Sequence, residues 1–407
     1  MSPMTKSRAL RAVESFTKMP KALVERNRKP PQWWSDARLG IFIHWGLYSV
    51  PAFAPRKTGE ELLASGIADV QSESPYAEWY GNSMRFPDSS VGCFHREHYD
   101  DAPYDAFREP FEQSLDSWDP EAWAAAFAAT GAGYVVMVTK HHDGYCLWPT
   151  EVENPNVPGW HCERDLVGEL ADAVRAADMR FGIYYSGGYD WTFNDAPMGR
   201  LLDSVTAVPF GDYPAYAAAH VRELIDRYEP SVLWNDICWP ARSKEVFPLF
   251  EHYFDVVPDG CVNDRWLSAF DTTKLLKVPG LRPGLEKLIR AQGAKRGIVP
   301  PPVPFSQFRT PEYADLPNGM EGPWEMTRGL DLSFAYNRTS TDDDYLSRDE
   351  LIGSLAETMA KGGNFLVNVG PRGDAAIPDE QLTRLGWMAE QNATTPWRDI
   401  EPIRGRA

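Results

Sequence analysis

The chain has 407 residues, with 41 Lys and Arg against 58 Asp and Glu and a formal net charge of −17 at pH 7. This acidic balance argues against a nucleic-acid partner or an anionic membrane surface, and no apolar run approaches the ~20 residues that a membrane-spanning helix needs. The length allows a large core, arranged either as one α/β barrel or as two domains.

The N-terminal residues and the cysteines favour a cytosolic protein. The first twenty residues are basic but lack the apolar core of a secretory signal. The cysteines form no CxxC or other metal-binding spacing, and such an odd, scattered set is typical of reduced thiols; they are Cys93, Cys146, Cys162, Cys238 and Cys261. We therefore expect a cytoplasmic location.

Short apolar segments that end in polar or charged residues recur along the chain, and helical patterns lie between them. They predict strands at 39–45, 133–142, 180–187 and 231–236, then weaker ones at 260–265, 308–313, 332–337 and 364–370. The intervening amphipathic segments predict helices at 119–133, 165–179, 214–230 and 347–364, the last with a capping box from Ser347 to Glu350. Eight strands alternating with helices predict a (β/α)8-like TIM barrel, with an open doubly wound sheet as the other option.

Three segments exceed the minimal barrel. Residues 46–132 are long, and the part near 55–115 is expected to form loops over the barrel mouth. Residues 267–307 carry seven Lys and Arg against two acids and end in VPPPVP, which indicates a basic insertion. One helix (378–391) and a polar tail follow the last strand.

Polar side chains collect at the C-terminal ends of the predicted strands, where the strands of a barrel converge on one mouth. They are His44, His141, His142, Asp143, Tyr184, Asp236, Arg265 and Glu312. Two carboxylates among neutral and cationic donors are typical of glycoside hydrolysis. The alternative is metal-assisted hydrolysis at the His-His-Asp run, although neighbouring strand residues point to opposite faces and grip a metal poorly. Asp236 could also be a simple helix cap.

Nine blocks of the sequence, in order between about residues 33 and 392, resemble the successive motifs of α-L-fucosidases of glycoside hydrolase family 29. The blocks are LGIFIHWGLYSVPAF, AEWYGNSMR, TKHHDGYCLW, RFGIYYSGGYDW, VLWNDICWP, VNDRW, TPEY, WEMTRGLDLSFAYNR and GGNFLVNVGPRGDAAIP. The resemblance implies a (β/α)8-like barrel, hydrolysis of terminal α-L-fucosyl residues by a retaining double displacement, and no metal or organic cofactor.

The same resemblance assigns roles to individual residues. It implies that Asp236 is the nucleophile and Glu312 the acid/base. Glu325 and Glu78 are the next candidates for the acid/base, because the insertion lengthens the spacing between Arg265 and Glu312. The residues implied around the fucose are His44, Glu78, Trp79, His141, His142, Tyr184, Trp234, Arg265 and Phe334, with Trp234 and Phe334 facing the C6 methyl.

The chain is thus divided into a lead-in (1–32), a catalytic barrel (33–392) and a C-terminal tail (393–407). Since the sequence ends at Ala407, we expect it to lack the C-terminal β-sandwich that family members commonly carry. The expected partner is a fucosylated oligosaccharide or glycoside, with no nucleic acid and no membrane, and a homo-oligomer is left open. Two alternatives also stay open: a fucose-binding protein on a degenerate glycosidase scaffold, and a metal-dependent TIM-barrel hydrolase.

Overall fold

The computed structural model describes residues 29–64, 70–269, 299–300, 303, 306–314 and 316–402. Within these residues one parallel sheet contains β1 (Leu39–Ile43), β2 (Tyr134–Lys140), β3 (Arg180–Tyr185), β4 (Val232–Asn235), β5 (Cys261–Val262), β6 (Glu325–Gly329) and β7 (Asn364–Val369). The α-helices are α1 (Gln32–Ala37), α2 (Gly59–Ala64), α3 (Tyr80–Ser83), α4 (Ser90–Tyr99), α5 (Arg108–Ser114), α6 (Pro120–Ala129), α7 (Leu166–Ala176), α8 (Asp203–Thr206), α9 (Tyr213–Tyr228), α10 (Ser243–Val256), α11 (Arg348–Ala360) and α12 (Asp379–Thr394).

The strand order is β5-β4-β3-β2-β1-β7-β6, and every pairing is parallel. Strands that follow one another in sequence are therefore neighbours, apart from β5 and β6 at the two ends of this order, and β1 pairs with β7. This sequential order is that of a curled barrel wall, whereas a doubly wound sheet reverses its order at a switch point. The predicted (β/α)8-like barrel is confirmed.

The eighth position of the wall is filled by residues 306–314, which lie between β5 and β6. The Gln307 N–H donates to the Val262 carbonyl at 3.1 Å, and the Glu325 N–H donates to the Arg309 carbonyl at 2.8 Å. Because Pro311 has no N–H to donate, the segment forms isolated bridges rather than a continuous ladder. The strand predicted at 308–313 is thus present in position but irregular in form.

Two apolar layers hold the wall in place. Alternate strand residues fill the barrel interior, and the bottom of the interior is closed by Trp34 of α1, which stacks on Phe308 at 4.7 Å. The other strand residues, which alternate with those of the interior, face the surrounding helices. On β3, Tyr184 belongs to the interior, whereas the Tyr185 hydroxyl lies 3.2 Å from His220 of α9. This alternation is what a period of two requires.

Two predictions of secondary structure were wrong. Residues 332–337 form no strand, and β6 lies earlier, at Glu325–Gly329. The apolar pattern misled because Leu332, Phe334 and Ala335 serve the loop above β6. The part near 55–115, expected to form loops, contains helices α2 to α5, whereas α6 lies within the helix predicted at 119–133.

The remaining features concern the chain's ends and surface. The capping box at Ser347 and Glu350 is confirmed, with the Ser347 side chain accepting from the Glu350 N–H. Most of the predicted basic insertion (267–307) lies outside the described residues, as does the lead-in up to residue 28. Over the part of the chain that the structure covers, no helix is both long and apolar enough to cross a membrane.

Candidate active site

A cavity of about 380 Å³ opens at the C-terminal ends of the strands, within the size range of small-molecule sites. All eleven residues that the resemblance assigned to catalysis or fucose binding line it: His44, Glu78, Trp79, His141, His142, Tyr184, Trp234, Asp236, Arg265, Glu312 and Phe334. The lining also includes seven residues that sequence reasoning did not name: Phe42, Tyr76, Ile237, Asp264, Leu267, Val299 and Pro300.

Asp236 follows directly after β4 and is held by three groups. One oxygen, Oδ2, accepts from the Tyr184 hydroxyl at 2.7 Å. The other, Oδ1, accepts from the Ile237 N–H at 2.7 Å and lies 3.1 Å from Arg265 Nη1. Ile237 has a φ of 66°, which is strained for a β-branched residue. Asp236 is therefore a fixed hydrogen-bond acceptor and not a helix cap.

The pKa of Asp236 is lowered on balance. Burial by itself raises it, because a carboxylate loses hydration in the cavity wall. The charge of Arg265 and the hydrogen bonds from Tyr184 and Ile237 outweigh burial and favour the ionised form. Asp236 is therefore a carboxylate at neutral pH.

Glu312 lies on the other side of the same guanidinium, with Oε1 2.6 Å from Arg265 Nη2. Its pKa shifts the opposite way: burial raises it most, and the negative charge of Asp236 adds to that, although Arg265 opposes both. The two carboxyl groups thus share one cation but differ in their proton affinity.

Arg265 is itself rigidly placed. Its Nε donates to the Thr310 hydroxyl and its Nη2 to the Thr310 carbonyl, both at 3.0 Å. The guanidinium carbon lies 4.9 Å from the ring centroid of Trp234, a distance at which the face of an aromatic ring attracts a cation. The guanidinium has five N–H donors in a fixed plane, enough for both carboxylates and both Thr310 oxygens, whereas an ammonium group has only three.

Two histidines are neutral and have defined tautomers. Burial lowers the pKa of His44 to about 4 and that of His142 to about 3. His44 Nδ1 lies 2.6 Å from Asn368 Oδ1, an acceptor, so Nδ1 carries the proton. The Ser186 hydroxyl donates to the Tyr189 carbonyl and therefore accepts from His142 Nδ1 at 2.7 Å. In both rings Nε2 is left as an acceptor, a suitable partner for a sugar hydroxyl.

His141 and His142 face the same cavity, contrary to the expected alternation. β2 ends at Lys140, so the period of two no longer applies, and the two rings lie 4.0 Å apart. Asp143 turns away from them and accepts from the Tyr104 hydroxyl at 2.9 Å. Within the described ranges, no group of three or more His, Cys, Asp or Glu is arranged to hold a metal ion.

The two substitute carboxylates occupy different places. Glu78 lines the cavity, accepts from the Ala335 N–H at 2.9 Å, and has a pKa that burial raises to about 8. Glu325 of β6 is fully buried below the cavity, where the Tyr134 hydroxyl and Trp234 Nε1 donate to it. Glu325 therefore supports the wall and does not line the cavity.

Aromatic rings form the apolar part of the cavity. The ring centroids of Phe334 and His44 lie 5.1 Å apart, and those of Trp79 and His142, which meet edge-on, lie 5.2 Å apart. Tyr76, which sequence reasoning missed, packs against Phe334 at 5.6 Å. Its position two residues before Glu78 was the signal that could have found it. Rings beside convergent hydrogen-bonding groups are typical of sites for small molecules.

Comparison with known proteins places this architecture in a family. The family model described as alpha-L-fucosidase matches residues 4–392. An alpha-L-fucosidase of Branchiostoma floridae is 30% identical over 390 residues, which cover 91% of this chain and 74% of that protein.

Two solved structures of the Thermotoga maritima alpha-fucosidase are also similar. The complex with a mechanism-based inhibitor is 37% identical with a TM-score of 0.74, and the complex with fucose is 38% identical with a TM-score of 0.73. Each alignment covers 92% of this chain and 76% of that one. The chain belongs to the alpha-L-fucosidase family, glycoside hydrolase family 29.

Proposed function

We propose that this protein is an exo-α-L-fucosidase that removes terminal α-L-fucosyl residues from glycosides with retention of configuration. The observation that carries the proposal is the pair Asp236 and Glu312. Both contact Arg265, and their surroundings shift their pKa values in opposite directions. A low-pKa carboxylate beside a carboxyl that holds its proton is the combination that glycoside hydrolysis needs.

In the first step, the Asp236 carboxylate attacks C1 of the fucosyl group, and the bond between C1 and the glycosidic oxygen breaks. Glu312 gives its proton to the departing oxygen, so the aglycone leaves as an alcohol. In the second step Glu312, now ionised, takes a proton from water, whose oxygen attacks C1 and releases Asp236. Two inversions at C1 return the starting configuration. Retention requires carboxyl groups roughly 5–5.5 Å apart, and the shared contact with one guanidinium keeps this pair close.

The rest of the cavity suits a single deoxy sugar. The Nε2 atoms of His44 and His142 offer acceptors, and Glu78 lines the same cavity as a further polar group. Trp234 and Phe334 supply an apolar surface for the C6 methyl, where a hydroxymethyl group would lose hydration without gaining a partner. The partner proposed is therefore a fucosylated glycoside.

Hydrolysis of 4-nitrophenyl α-L-fucoside, followed by proton NMR, tests the proposal. We expect α-L-fucose as the first anomer, before mutarotation, and almost no turnover by Asp236→Gly. Release of β-L-fucose first would overturn retention. Full activity of the Asp236→Gly variant would overturn the assignment of the nucleophile.

Two further properties belong to the same proposal. We place the protein in the cytosol, because its scattered cysteines form no recognisable disulfide framework; cell fractionation with an antibody tests this. Parallel assays of 2-, 3-, 4- and 6-linked fucosyl oligosaccharides would identify the linkage that the enzyme prefers.

A further inference from the structure

Thr310 lies two residues before Glu312, and all its polar groups are bound by Asp264 and Arg265, which lie two and three residues after the end of β5. Its N–H and its hydroxyl both donate to Asp264 Oδ1, at 3.1 and 2.6 Å. Its carbonyl and its hydroxyl both accept from Arg265, each at 3.0 Å. Thr310 is fully buried and Asp264 nearly so. These four hydrogen bonds connect the end of β5 to the segment that carries Glu312.

The direction of the hydroxyl proton makes this connection specific. Arg265 Nε can only donate, so the Thr310 hydroxyl must accept there and direct its own proton to Asp264. An acceptor at position 264 is therefore required. The second oxygen of Asp264 lies 3.6 Å from Arg309 Nε, which places a cation beside the buried carboxylate.

The opposite side of the segment is held by β6. The Thr327 N–H donates to the Pro311 carbonyl at 2.9 Å, and the Tyr313 N–H donates to the Thr327 carbonyl at 3.2 Å. Toward β5, the Thr310 N–H donates to the side chain of Asp264 and the Thr310 carbonyl accepts from the side chain of Arg265, so side-chain bonds take the place of backbone pairing on that side. Glu312 is thus fixed between two anchors, which are side-chain bonds toward β5 and backbone bonds to β6.

We propose that Asp264 and Thr310 are positioning residues, which hold the Glu312 carboxyl group beside the glycosidic oxygen. The inference rests on the proposed role of Glu312 as acid/base. A general acid must lie within about 2.6–3.2 Å of the atom that it protonates, and a displacement of 1 Å can cost about 100-fold in rate. Loss of the Thr310 hydroxyl removes the shorter of its two bonds to Asp264, keeps the one from the N–H, and leaves Arg265 Nε without its acceptor.

The test compares Thr310→Val, which has nearly the same shape but no hydroxyl, with Thr310→Ser, which keeps the hydroxyl. Each variant is assayed with a fucosyl disaccharide, whose leaving group needs a proton, and with 2,4-dinitrophenyl α-L-fucoside, whose leaving group does not. We expect Thr310→Val to lower kcat/KM for the disaccharide by about 10- to 100-fold, and for the activated substrate by less than about 3-fold. Thr310→Ser should stay near the parent enzyme on both.

Glu312→Gln is the reference, with an expected loss of about 100- to 10,000-fold that is confined to the disaccharide. If it shows this pattern and folded Thr310→Val does not, the positioning role is overturned while the acid/base assignment stands. If Glu312→Gln lowers kcat/KM for both substrates equally, the acid/base assignment fails and the positioning role falls with it.

Asp264→Asn provides a second variant in case Thr310→Val does not fold. The amide has one oxygen, which can serve Thr310 or Arg309 but not both. We expect an intermediate loss, again restricted to the disaccharide. An equal loss on both substrates, at unchanged thermal stability, would show a general structural role and would contradict the inference.

Discussion

The hydrogen bond from Tyr184 to Asp236 gives the pH dependence of the reaction a specific origin. Tyr184→Phe removes a donor 2.7 Å from Oδ2 and leaves the ring, which stacks on Trp234 at 5.5 Å and on His141 at 5.7 Å. A hydrogen bond to a charged group is worth about 1.5–3 kcal/mol. One pKa unit corresponds to about 1.4 kcal/mol, so the expected shift is about one to two units.

The sign of the shift follows from the state that the bond favours. The hydroxyl stabilises ionised Asp236, so its loss raises the pKa of that carboxyl. Since attack requires the carboxylate, the acidic limb of the profile of kcat/KM against pH should move to higher pH. That profile reports the groups of the free enzyme.

The neighbouring tyrosine offers a matched control. Tyr185→Phe removes a hydroxyl that faces His220 in the helix layer, so the acidic limb should not move, although about 0.5–1.5 kcal/mol of stability is lost. An unchanged acidic limb in Tyr184→Phe, or equal shifts in both variants, would refute the assignment of that limb to Asp236.

Three further predictions concern stability and specificity. Burial raises the pKa of Glu325 to about 7, so between about pH 4 and 7 the native state binds more protons than the unfolded state and loses stability as pH rises. In urea unfolding, the stability of Glu325→Gln relative to the parent should therefore increase by up to about 3 kcal/mol across that range. A stability difference that stays constant with pH would contradict this prediction. Asp190→Asn breaks a fully buried ion pair with Lys140 and should cost about 3–5 kcal/mol of unfolding free energy. The control Asp374→Asn breaks an exposed pair with Arg372 and should cost less than about 1 kcal/mol. Equal losses of stability would refute the claim that the buried pair matters more. Phe334→Ala should reduce the preference for 4-nitrophenyl α-L-fucoside over the matching α-L-galactoside by about 10-fold or more, and an unaltered ratio of kcat/KM would place the methyl elsewhere.

Much of the barrel could be predicted because most of its strands are short apolar segments bounded by polar residues. β6 was missed for a physical reason. It contains Glu325 and Arg328, and the carboxyl of Glu325 accepts hydrogen bonds from Tyr134 and Trp234, which come from other strands. No local pattern reveals such partners, whereas the apolar residues around Phe334 resemble a strand yet form the loop that brings Phe334 to the cavity.

The polar residues of the cavity could be named because each stands at the end of a strand or within a family motif. Their relations could not be predicted. His141 and His142 share a face only because β2 ends one residue earlier. The bonds between Thr310 and Asp264 join residues 46 positions apart across a long insertion, so no spacing in the sequence points to them.

The central claim, that Asp236 is the nucleophile and Glu312 the acid/base, is tested most directly by azide rescue in two variants. Asp236→Gly leaves space on the face from which the carboxylate attacks, so azide should enter there and give β-L-fucosyl azide from an activated fucoside. Glu312→Ala still forms the fucosyl-enzyme, and azide attacks it from the opposite face, which should give α-L-fucosyl azide. The same anomer from both variants, or the two anomers exchanged, would contradict the roles assigned to these carboxyl groups.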